Sequence, residues 1–93
     1  MYFFDESDKG YKTLDDARKS AIAFLKKNKD WFDIDNEITI WESQTGTARG
    51  IRVGKIAYAY ASMGATKRTA LWMDARSRSF NHTINKDGSI RKR

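Results

Sequence analysis

Apolar residues recur at helical spacing in one stretch of this chain. Leu14, Ala17, Ala21, Phe24 and Leu25 fall on a single stripe, with Ile22 on its flank. One amphipathic helix has nothing of its own kind to pack on, so its stripe has to be buried against a different layer. That layer is written downstream, where the apolar period drops from 3.6 to two. Glu37-Ile38-Thr39-Ile40-Trp41-Glu42-Ser43 alternates, and so does Ile56-Ala57-Tyr58-Ala59-Tyr60-Ala61. The chain is therefore expected to be α+β, one N-terminal amphipathic helix packed on a four- or five-stranded antiparallel meander sheet.

The helix has local start and stop signals. Thr13 reads as its N-cap, since the hydroxyl can accept from a free amide of the first turn, and Asp16 follows three residues later. Asp15 and Asp16 sit at the positive end of the helix dipole, and Lys26, Lys27 and Lys29 at the negative end. The predicted boundaries are strand or loop over 1–12, helix over 13–29, a meander over 37–92 and a basic tail over 91–93, all in one domain. Tyr2-Phe3-Phe4 reads as a short strand or apolar clip, Gln44–Thr47 as a turn, and Thr66 to about Arg76 and Ser79–Ile84 as strands. Asp87-Gly88 marks a tight hairpin before Ser89-Ile90-Arg91, because glycine tolerates positive φ. One helix followed by a meander is similar in layout to cystatin-like folds, a likeness that implies no function.

Composition narrows the class. With 93 residues the surface scaling laws give about 65% of the unfolded surface buried, enough for one thin core. The absence of cysteine excludes a disulfide scaffold and a thiolate zinc site, and makes a cytoplasmic location the expectation. No apolar run is long enough for a membrane helix, and Asp5-Glu6 closes the first apolar run too early for an export signal.

Charge is divided unevenly along the chain. Residues 1–45 carry ten acids against seven bases, whereas residues 46–93 carry eleven bases against two acids, for a net +6 overall. Seven of the eleven are arginine, the cation best shaped for phosphate forks and for stacking on bases. A second half this basic attracts polyanions.

The hairpin near Gly64 has two registers, and one residue of slip exchanges the faces of the sheet. A Gly64-Ala65 turn pairs Tyr58 with Leu71 and places Ile56, Tyr58, Tyr60, Leu71 and Met73 beneath the helix. A Met63-Gly64-Ala65 turn pairs Tyr60 with Arg68 and Ile56 with Trp72. In that second case the alanines, Leu71 and Met73 are expected under the helix. Tyr58, Tyr60, Trp72 and Arg68, with Arg76, then share the open face, where aromatics among arginines make a stacking platform for unpaired bases.

Other constellations have ordinary structural explanations. His82 is the sole imidazole and reads as a strand residue; Asp74 beside it has no nucleophile to serve. Asp5–Gly10 with Asp16 imitates a calcium loop, but Lys9 takes a ligand place and no helix precedes it. Gly50-Ile51-Arg52-Val53-Gly54 lacks the Gly-Lys-Ser/Thr of a phosphate loop, and Gly54 suggests a bulge or close packing. Trp31-Phe32-Asp33-Ile34-Asp35 reads as a cover for the core edge, or else as an acidic-aromatic hook. Arg18, Lys19, Lys26 and Lys29 read as a solvated helix face, or else as a second phosphate contact.

The sequence thus predicts a non-enzymatic, low-specificity nucleic-acid-binding module with no catalytic residues, metal or cofactor. Its candidate contacts are Arg49, Arg52, Arg68, Arg76 and Arg78 on phosphates and Tyr58, Tyr60 and Trp72 on bases, with the Arg91–Arg93 tail assisting. The alternative is a small protein-binding adaptor or inhibitor that uses a sheet edge or the Trp31–Asp35 loop. Homodimerisation through the sheet face or an edge is compatible with both.

Overall fold

A computed structural model describes residues 1–5, 7, 9–27, 37–43, 50–60 and 68–92, with the side chains of Ala59, Tyr60 and Arg68 left outside that description. Strand β1 (Tyr2–Phe3) leads into helix α1 (Leu14–Lys27). Then come β2 (Glu37–Ser43), β3 (Gly50–Tyr60), β4 (Arg68–Asp74), β5 (His82–Ile84) and β6 (Ile90–Lys92). All six strands form one antiparallel sheet in the order β1-β2-β3-β4-β5-β6. The expected helix-on-meander architecture is what the chain adopts. The strand beyond the predicted four or five is β1, whose two residues pair with Glu42 and Trp41.

The helix begins where its cap predicts. The Asp16 amide donates to Thr13 Oγ1 at 3.1 Å, and the Ala17 amide donates to the Thr13 carbonyl at 3.2 Å. Ala17 and Ala21 are wholly buried and Leu25 nearly so, and the two alanines let the helix axis approach the sheet closely. Beneath them lie Ile38 and Ile40 from β2, Ile56 from β3, Ala70 and Trp72 from β4, and Phe4 from the segment after β1. Phe4 also stacks on Tyr11, with ring centroids 5.9 Å apart. At the far end, Gly88 adopts φ +91° in the β5–β6 hairpin, as its Asp-Gly signal predicts.

Strand pairing matches the second register, with Tyr60 opposite Arg68, Tyr58 opposite Ala70 and Ile56 opposite Trp72. The face turned to the helix is the reverse of the one expected with it. Ile56, Tyr58, Ala70 and Trp72 lie on the helix side, and Ala57, Leu71 and Met73 on the other. The physical reason is a fit of sizes: a Cβ on Gly54 would stand 2.4 Å from Trp72 Cζ2, so the bare glycine backbone is the bed for the indole. The open sheet face carries its own buried residues, Ala57 and Leu71.

Arg18 corrects a second expectation. It is not on a solvated helix face but is 5% exposed, with its guanidinium carbon 4.3 Å from the centroid of the Trp72 ring. Its Nη1 donates to Asp15 Oδ1 at 2.9 Å and to the Gly88 carbonyl at 3.3 Å. The turns at 44–47 and 63–65, the Trp31–Asp35 segment, Lys29, Arg49, Arg93, and Glu6 and Asp8 of the calcium-like loop lie outside the described residues.

Candidate functional site

The eight residues singled out from sequence separate in the fold. Trp72 is fully buried, and its Nε1 donates to Asp74 Oδ1 at 3.0 Å, so it offers no face to a base. Tyr58 is half-buried on the helix side rather than on the open face. Tyr60 and Arg68 are strand partners at the end of the β3–β4 hairpin, their side chains outside the description, and Arg49 is outside it altogether. Arg52, Arg76 and Arg78 are all exposed, and they gather at the opposite end of the sheet from Tyr58. Six residues of extended chain separate Arg52 from Tyr58, about 20 Å at the rise of a β-strand.

A bulge sets the direction of Arg52. Ile40 pairs with Gly54 but Trp41 pairs with Arg52, so Val53 is an extra residue in β3. An uninterrupted ladder would carry Arg52 on the helix face with Gly54 and Ile56. The inserted residue reverses the alternation and puts Arg52 on the open face beside Trp41. Trp41 is in turn opposite Phe3 of β1. Three adjacent strands thus contribute a transverse row of Phe3, Trp41 and Arg52, with both aromatics half-buried and the arginine exposed. A Cβ on Gly50 would come within 3.0 Å of the Phe3 ring, so that glycine leaves room for the ring beside β3.

The arginine row continues into the β4–β5 connection. Arg52 Nη2 donates to the Ala75 carbonyl at 3.4 Å, and the Ala75 amide donates to the Val53 carbonyl at 2.9 Å. Beyond Ala75 the loop is braced by its own hydroxyls and amide. Ser77 Oγ donates to the Ser79 carbonyl at 2.9 Å, Ser79 Oγ to Asn81 Oδ1 at 2.8 Å, and Asn81 Nδ2 back to Ser77 Oγ at 3.3 Å. This brace leaves Arg76 and Arg78 pointing at solvent. Neither they nor Arg52 has a carboxylate within ion-pair distance among the described residues, whereas Lys55 is held by Glu37 at 3.3 Å.

Phe3 and Trp41 were missed as site residues. The alternation of β2 did carry a signal for Trp41, which falls on the face opposite Ile38 and Ile40. Its meeting with Arg52 depends on the bulge at Val53, beside the Gly54 that suggests one, but the sequence does not tell which residue the slip brings opposite Trp41. Among the described residues no cluster of three His, Asp or Glu could hold a metal ion, and no helix is long and apolar enough to cross a membrane. The chain matches no family model, and neither a curated protein nor a solved structure matches it.

Proposed function

We propose that this protein is a non-enzymatic module that binds nucleic acid through arginine–phosphate contacts, with aromatic stacking and low sequence specificity. The observation that carries the reading is exposed Arg52 beside the half-buried rings of Phe3 and Trp41, at the same end of the sheet as exposed Arg76 and Arg78, with none of the three arginines within ion-pair distance of a carboxylate among the described residues. Arginines in such a cluster meet phosphate oxygens, and a partly exposed ring beside them supplies the π-face on which an unpaired base stacks. Of the residues expected from sequence, Arg52, Arg76 and Arg78 are kept, Arg49 and the side chains of Arg68 and Tyr60 lie outside the described residues, and Phe3 and Trp41 replace Tyr58 and Trp72 as the stacking residues.

The alternative of a protein-binding adaptor draws less support from the sheet edges. β1 is two residues long and is bridged on its outer side by Tyr11, while β6 is three residues long and carries exposed Arg91 and Lys92. Short and charged edges resist strand addition from a partner or from a second copy of the chain.

Fluorescence anisotropy of labelled single- and double-stranded oligonucleotides at low salt tests the proposal. The expected result is micromolar binding with a preference for single strands. An Arg52→Ala/Arg76→Ala/Arg78→Ala variant should bind at least tenfold more weakly. A control without Lys9, Lys12 and Lys27 removes the same charge from exposed positions elsewhere and should change affinity far less. Equal loss in the two triple variants would reduce the effect to net charge and remove the assigned surface.

A further inference from the structure

A concave feature lies on the helix side of the sheet, between α1, the β3–β4 pair and the β5–β6 hairpin. It is a cleft of about 410 Å³, inside the roughly 300–1,000 Å³ typical of small-molecule sites. Its floor is apolar, made by Ile22, Ala70 and Ile84, and Tyr58 supplies one aromatic wall. Lys19 and Lys26 of the helix and Lys86 of the hairpin line it as well. The three lysines come from two elements separated by more than fifty residues, so the fold itself gathers them. All three are exposed, and none has a carboxylate within ion-pair distance among the described residues. Asp87, whose charge is felt by Lys19, is turned to its own hairpin, where it accepts from the Ser89 amide at 3.0 Å and from Ser89 Oγ at 2.6 Å.

An apolar floor, one aromatic wall and a set of unpaired ammonium groups select a ligand with a flat, weakly polar body and a compact anionic group. We propose that this cleft binds a nucleoside phosphate, the ring system against Tyr58 over the Ile22–Ala70–Ile84 floor and the phosphate among Lys19, Lys26 and Lys86. Lysine suits this task as a mobile point charge on a phosphate group. The ring contact distinguishes the site from a bare anion patch, and Tyr58 is therefore the residue that sets specificity. The inference does not rest on the arginine surface, which lies at the opposite end of β3.

The test is a titration followed by backbone amide chemical shifts. The probes are adenosine monophosphate, inorganic phosphate and a 5′-phosphorylated trinucleotide. Adenosine monophosphate should bind in the millimolar range or tighter and shift Ala70, Ile84 and Lys86, while inorganic phosphate binds more weakly. Lys26→Gln and Lys86→Gln should each weaken it about three- to fivefold. Tyr58→Leu should abolish the preference for the nucleotide over inorganic phosphate. Ala23→Trp, at an exposed helix position lining the cleft, should block binding with the fold intact. A free nucleotide as the natural occupant predicts equal affinity for the trinucleotide; the end of a strand predicts tighter binding of the trinucleotide with the same shifts. The Arg52/Arg76/Arg78 triple variant should bind adenosine monophosphate as the parent does, so failure of the cleft and failure of the arginine surface are separate results. No shifts at millimolar nucleotide, or equal binding of inorganic phosphate that ignores Tyr58→Leu, would overturn the proposal.

Discussion

Arg18 lies under the helix with its cation over the Trp72 ring and with Asp15 half-exposed beside it. Burial pushes its pKa down, and Asp15, Asp74 and Tyr2 oppose that shift by their negative charge or polarity. Its Nε is buried with no partner among the described residues, so the guanidinium is imperfectly satisfied. Because Asp15 is half-exposed, loss of its partner leaves no buried charge behind, whereas the stem of the arginine fills space that alanine would empty. Arg18→Met should therefore leave stability within about 1 kcal/mol of the parent. Arg18→Ala should cost about 2 kcal/mol in urea denaturation.

Asp87 gives a pH-dependent test at the same scale. The Ser89 hydroxyl and amide hold its carboxyl below the usual carboxylate range, with Lys19 adding to the effect. A depressed folded-state pKa means that the stabilisation is present above the unfolded value and is lost as pH falls through the folded one. Asp87→Ala should lower Tm at pH 7, and its deficit should close in acid below the carboxylate range. A deficit independent of pH would show that the carboxylate charge plays no part.

Elements differ in how far they can be read from local sequence. Helix α1 was legible because its period, its Thr13 cap and its charged ends all lie within fifteen residues. The Asp87-Gly88 hairpin was legible because one residue must take positive φ. Strands β2 to β4 were legible as strands, and even the Tyr60–Arg68 pairing was among the two readings. Which side of β3 and β4 met the helix was not, because that choice depends on Trp72 settling over Gly54 across two strands. The bulge at Val53 was signalled by its neighbour Gly54, but the reversal of Arg52 that follows from it was not, because it depends on how β3 pairs with β2 across the slip. A Cβ at residue 54 would strike Trp72 Cζ2 and Cη2 at 2.4 and 2.5 Å, atoms that phenylalanine lacks. Gly54→Ala should thus cost about 1–3 kcal/mol in the parent and measurably less in a Trp72→Phe background. Additive costs would show that the Met73 carbonyl, 2.6 Å from the same point, is the true obstacle.

At the scale of the molecule, the fold sets the basic residues on separate surfaces. The molecule is elongated, with overall extents of 47 × 26 × 22 Å, and the arginines and the lysine-lined cleft lie at opposite ends of β3. A count of charges along the sequence does not show that Lys86 of the basic half joins Lys19 and Lys26 of the helix rather than the arginines. Contact of Arg52, Arg76 and Arg78 with phosphates is read from the salt dependence of binding. Each phosphate neutralised on a single strand contributes about 0.7 to the slope of log K against log salt. Titrating one labelled single-stranded oligonucleotide at several salt concentrations should show a steep fall in affinity for the parent and a slope shallower by about 2 for the triple alanine variant. An unchanged slope in that variant, or a parent that does not bind at low salt, would contradict the account.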